Sequence, residues 1–226
     1  KELNKKELNK KELNKKELIA ISFTMYQSIL FSMLSSQLLI FLLAYLSTPS
    51  EVGIYNIAYQ LASLTIFIFG AIITAVGPKF SELYWNDKAE FDKIIKFSSK
   101  LIFWITGTIS IITIVFSDQL LSLFGEEFIA GSSILIILSI SNLFNAMTGP
   151  GGILLDMIGK HNIRRNAIII ATIIALIIAP FLIEQYAGVG LAIVLLIHNI
   201  IGNTITIIYL NRRMNINLVY IPSWAK

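Results

Sequence analysis

The side chains of this sequence that could do chemistry are two histidines, one carboxylate at the end of an apolar run, and three rows of amides. His161 and His198 stand too far apart for metal-ligand spacing, and without cysteine there is neither a thiolate site nor a disulfide framework. His161 falls in a basic loop and reads as solvated. His198 lies inside an apolar run, where an ionisable group is costly and faces a cavity or a partner. Hydrogen bonding to a neighbouring helix and proton coupling are both open to it. Asp156 precedes Lys160 by four residues, the spacing of an ion pair on one helix face, and it is also the acid best placed to couple a cation. No phosphate-binding glycine loop with Lys, no His-Glu-x-x-His motif and no intramembrane acid pair occurs. The expectation is therefore a protein without cofactor, metal or covalent catalysis.

Uncharged polar and small residues recur at helical spacing: Asn56, Gln60 and Ser63; Asn142, Asn145 and Gly149; Asn199 and Asn203. Such stripes either bridge helices by hydrogen bonds or line a polar cavity for a hydrophilic cargo, with Tyr55 or Tyr59 offering hydrogen bonds to sugar hydroxyls.

The elements that carry these residues follow from composition. Of 226 residues 55% are hydrophobic and only 14% charged, with mean hydropathy +0.74. Soluble domains carry about 25% charged residues, so a lipid solvent is implied. Six runs approach or exceed the roughly 20 residues that cross a bilayer core: 19–46, 52–78, 101–116, 128–155, 166–183 and 187–210. They are continuous rather than alternating, which excludes a barrel and predicts an all-α integral membrane bundle of about six transmembrane helices. The organisation expected is a Lys/Glu/Leu/Asn repeat over 1–18, a six-helix bundle over 19–211 and a short tail over 212–226. The repeat predicts a frayed helix or disorder. With no initiating Met it looks like a tandem duplication or an added segment, and it is set aside from the fold.

Lys and Arg cluster in alternate loops: Lys79, Lys88, Lys93, Lys96 and Lys100; Lys160, Arg164 and Arg165; Arg212 and Arg213. The intervening loops carry Glu51, then Asp118, Glu126 and Glu127, then Glu184. The positive-inside rule puts both termini in the cytoplasm, in a multi-pass protein of the cytoplasmic (inner) membrane. The net charge of +4 is thus a topology signal, and no nucleic-acid partner is expected. Asp87 and Glu90 form a capping box, and Phe91, Ile94 and Ile95 then predict an interfacial helix before the third span. Gly149 and Pro150 interrupt the fourth span as a hinge, a kink or a helix end.

Four stretches carry a family resemblance: Glu51-Val-Gly-Ile-Tyr-Asn-Ile-Ala-Tyr59, Val76-Gly-Pro-Lys-Phe-Ser-Glu-Leu-Tyr84, Leu123-Phe-Gly-Glu-Glu-Phe128 and Thr148-Gly-Pro-Gly-Gly-Ile-Leu-Leu-Asp-Met-Ile-Gly159. The sequence resembles the oligosaccharide and polysaccharide flippases, O-antigen type included, that are related to the multidrug and toxin extrusion transporters. The resemblance implies one of two six-helix lobes, the carboxy-terminal one, moving an undecaprenyl-pyrophosphate-linked oligosaccharide across the bilayer between two lobes. Such family members hold the cargo pyrophosphate with basic residues of the central cavity, and no unpaired Lys or Arg is expected within these six spans. The partners implied are the lipid bilayer, the lipid-linked oligosaccharide, and a second copy or a missing amino-terminal six-helix half. Asn56, Tyr59, Gln60, Asn142, Asn145, Asn199 and Asn203 are the cavity candidates, Gly149 and Pro150 the hinge, and Asp156 and His198 the ion-coupling candidates. Two rivals stand beside this reading: a cation-coupled exporter that depends on Asp156, and a truncated, non-transporting membrane subunit.

Overall fold

Helix starts are written locally. Thr48 accepts a hydrogen bond from the Glu51 amide at 3.3 Å, with Pro49 in the first turn, and Asp87 accepts from the Glu90 amide at 3.0 Å. These caps open α2 (Pro49–Asn86) and α3 (Lys88–Val115). In the computed structural model, which describes residues 15–219, α1 spans Lys15–Leu46, α4 Ser117–Ser122, α5 Ser132–Thr148, α6 Gly151–Met157 and α7 His161–Met214. A 3₁₀ turn over Glu126–Gly131 precedes α5, and no strand occurs among the described residues. Residues 1–14 of the repeat and the end of the tail, 220–226, lie outside the described residues, while residues 15–18 of the repeat open α1 rather than standing apart from the bundle.

Among the described residues, five helices are long and apolar enough to cross a membrane. The last, α7, has 54 residues and at 1.5 Å per residue would reach about 80 Å, far beyond a bilayer core of about 30 Å. It does not run straight. Ala187 takes φ 46 and ψ −125, and the chain folds back there into two antiparallel arms, 161–186 and 188–214. Leu182 lies against Gly190, Thr172 against His198 and Ala171 against Gly202, pairs that centre on the same reversal. The chain therefore passes six times, as the apolar runs predict.

The bundle differs from a soluble protein in its outer surface, which is as apolar as its interior. Phe41, Phe67 and Phe181 are 70%, 79% and 73% exposed, while Thr106, Ser110, Ser139 and Asn142 are buried. Apolar groups outside and polar groups inside suit lipid as the solvent. The buried hydroxyls close their own helices or bridge to another: Thr106 and Ser110 donate to carbonyls four residues back, and Thr113 and Ser139 meet at 2.8 Å between α3 and α5.

Two apolar clusters close the ends. One gathers Leu43, Tyr55, Leu121, Leu135, Ile183 and Leu191 near the α7 reversal, and the other Phe80, Phe91, Leu155, Ile158, Leu210 and Leu218. The acidic loops belong to the first end and the basic loops to the second. Phe91 and Ile95 are buried in the second cluster, with Ile94 half-buried beside it. The expected interfacial helix is thus the opening of a continuous α3, which packs on α2, Phe91 meeting Tyr84 edge-on at 5.3 Å between ring centroids.

Candidate functional site

Asn142 and Asn145 share one face of α5, and Asn199 and Asn203 share one face of the second arm of α7. The two faces meet. Asn199 Nδ2 donates to Ser141 Oγ at 2.7 Å, Asn203 Nδ2 donates to Asn145 Oδ1, and Asn142 Nδ2 donates to the Ala62 carbonyl of α2 at 2.9 Å. The stripes of α5 and the second arm of α7 therefore bridge helices. An amide offers two donor hydrogens and two acceptor lone pairs, so one bridge leaves most of its capacity free.

That capacity faces a cavity of about 250 Å³ lined by all four asparagines together with Thr65, Thr106, Gly149, Pro150 and Arg164. The Thr65 hydroxyl is buried there without a protein partner. A second cavity of about 230 Å³ shares Asn142 and Asn199 as its wall and adds Ser32, Ser36, Tyr59, Ser63 and His198. His198 Nε2 lies 3.4 Å from Thr172 Oγ1 and joins the two arms of α7. Asn56 and Gln60 line neither cavity, and Gln60 is exposed. Tyr55 is fully buried and stacks on Tyr59 at 6.1 Å between ring centroids. Replacing Asn142 by Leu is expected to cost about 1 kcal/mol by removing the bridge to the Ala62 carbonyl. Thermal unfolding in detergent measures it.

Gly149 and Pro150 end α5 in a true break. Gly149 takes φ 69 and ψ −165, a conformation essentially restricted to glycine, and α6 restarts at Gly151. A second glycine with positive φ, Gly159 at 76°, follows α6. This turn corrects the expected pairing of Asp156 with Lys160. The helix stops at Met157, so position 160 no longer lies above 156. Asp156 is held instead by Arg164 and, at 3.4 Å, by His161 Nδ1. His161 is accordingly half-buried on a carboxylate rather than solvated. Asp156 and Arg164 also line a third cavity, of about 190 Å³, against Met25, Ile29, Ser32 and Met33 of α1.

Arg164 is the site residue that sequence reasoning placed in a loop. It belongs to the first turn of α7, its guanidinium lies beside Gly152, and it reaches both the central and the third cavity. The missed signal was the absence of any helix breaker between His161 and the apolar run that follows.

With this geometry in view, comparison with known proteins is informative. A family model described as polysaccharide biosynthesis protein matches residues 6–133, more than half of the chain. The chain belongs to the polysaccharide biosynthesis protein family. Among curated relatives of this family member, the probable low-salt glycan biosynthesis flippase Agl15 of Haloferax volcanii is 25% identical over 180 residues. That match covers 76% of this chain and 37% of the relative, so the chain spans little more than a third of that protein's length. Among solved structures, a MOP superfamily transporter from Pyrococcus furiosus, described as having a binding pocket of reverse polarity, aligns with a TM-score of 0.64. The identity is 18%, over 91% of this chain and 46% of the transporter, and the likeness establishes a shared helical fold. The all-helical bundle with apolar spans expected from the sequence is the architecture found.

Proposed function

We propose that this chain is one lobe of a flippase that carries a lipid-linked glycan across the cytoplasmic membrane, without covalent chemistry. The observation that carries the reading is the central cavity: four asparagines and a threonine with spare hydrogen-bonding capacity, enclosed by a bundle whose outer surface is apolar. Uncharged amides suit sugar hydroxyls, which both donate and accept. At about 250 Å³ the cavity is smaller than the ~300–1,000 Å³ of complete ligand pockets, as one wall of a passage between two lobes would be. A second copy or an amino-terminal lobe supplies the other wall. Arg164 is the cation of the cavity, and its charge is balanced by Asp156.

The cargo we favour is a polyprenyl-pyrophosphate-linked oligosaccharide of the undecaprenyl type, with the basic end of the bundle in the cytoplasm. The test is translocation of a fluorescent lipid-linked oligosaccharide in proteoliposomes. The chain is expected to move it above the level of empty vesicles, and Asn142→Ala combined with Asn145→Ala to return to that level. Equal transport by parent and variant would remove the cavity from the cargo path. No transport by a folded chain would exclude self-assembly from two copies.

A further inference from the structure

We propose that residues 215–219 form a latch that holds the α5–α6 break closed, and that this break moves only after Leu218 leaves its seat. The segment is built rather than trailing. Asn215 ends α7 in the left-handed region, φ 54 and ψ 35, and the amides of Asn215 and Ile216 both return to the Leu210 carbonyl. The Val219 amide then donates to Asn217 Oδ1 at 3.1 Å, which fixes a local turn. Side chains alternate along it. Ile216 and Leu218 are 5% and 2% exposed, whereas Asn215 and Asn217 are exposed.

Leu218 is seated on the break itself. A methyl group added at Gly149 would lie 3.2 Å from the Leu218 carbonyl oxygen, and one added at Gly151 would lie 3.2 Å from Leu218 Cδ1. Gly149 and Pro150 also line the central cavity. The break therefore has the cavity on one side and the latch on the other. The short α6 lies between two glycines of positive φ, Gly149 and Gly159, so it can swing as a unit once the latch is released. Ser99 and Thr206 border the joint from α3 and α7, within 3 Å of methyl groups added at Gly149 and Gly151, and Leu218 is the cover contributed by the segment after α7.

The inference rests on the reading of the cavity as a cargo path, but its test does not use cargo. The sequence contains no cysteine, so Ile153→Cys, at the cavity wall, reports alone. The rate of its modification by a bulky membrane-impermeant maleimide is measured on the full chain in open bilayers. Leu218→Ser is expected to raise that rate about tenfold, as loss of a buried leucine anchor shifts a local opening equilibrium. Leu218→Met should keep the parent rate. Asn217→Ala, exposed and harmless to the core, should give a smaller rise by loosening the turn. Leu43→Ala, in the apolar cluster at the opposite end, controls for general destabilisation. Rates that stay at the parent value in both tail variants, or that rise equally in Leu43→Ala, overturn the latch. Raised rates in a chain that moves no glycan would support the latch and exclude transport by self-assembled copies; flat rates in a transporting chain would overturn the latch and leave the cargo reading standing.

Discussion

Gly190→Ala is expected to destabilise the protein by more than about 3 kcal/mol and to abolish the folded bundle in detergent, as read by thermal unfolding and gel filtration. A methyl group at this position would lie 2.0 Å from the Leu182 carbonyl oxygen, 2.4 Å from the Leu182 carbonyl carbon and 2.9 Å from the Ile183 nitrogen. All three are backbone atoms, so no rotamer relieves the overlap. The arms of α7 would have to part where they turn, which unseats Ile183, Leu191 and Val194 from the core around Tyr55 and Leu135. Gly53 provides the contrast. Nothing lies within 4 Å of a methyl group there, so Gly53→Ala in α2 should be neutral or stabilising by up to about 1 kcal/mol through helix propensity. Equal losses from both substitutions would show that the close approach at Gly190 does not matter.

Asp156→Asn is expected to cost about 2 kcal/mol, because it strands the Arg164 guanidinium at the edge of two cavities. Asp156 is 12% exposed and Arg164 34%, so water screens the pair in part and the loss falls below that of a fully buried one. Arg164→Gln should cost a similar amount, and the double variant less than the sum, leaving a coupling of about 1–2 kcal/mol. The same variant separates the two transport readings. A structural pair predicts a lower unfolding temperature with transport retained below it. A cation-coupled exporter predicts a chain as stable as the parent that no longer transports.

Much of this was legible in the sequence because the physics involved is local. Crossing a bilayer needs a run of apolar residues, and the six runs survive as six passes, the last two divided between Ile183 and Ala187 where α7 in fact reverses. Caps depend on residues three apart, so the Asp87 cap on the Glu90 amide was readable, although the Asp87 amide goes to the Leu83 carbonyl rather than to the Glu90 side chain of a full box. Alternating loop charge likewise foretold which loops share an end, since six antiparallel passes leave no other arrangement. Helical spacing also placed Asn142 with Asn145, and Asn199 with Asn203, on common faces.

Periodicity gives a face but not the direction in which the neighbouring helix lies, and that only tertiary structure decided. Gln60 and Asn56 share the spacing of a stripe yet stand outside both cavities, while Asn142 reaches the Ala62 carbonyl across 80 positions of sequence. The partner of Asp156 depended on whether the helix continued past Met157. A glycine turn ended it, which moved the carboxylate from Lys160 to Arg164. Residues 215–219 carry too few apolar side chains to announce a span, and Leu218 is buried because the break at Gly149 leaves a seat for it. Sequence determined the solvent, the number of passes and the residues available to a cavity; the azimuths of the helices, set by packing between distant segments, decided which of those residues met.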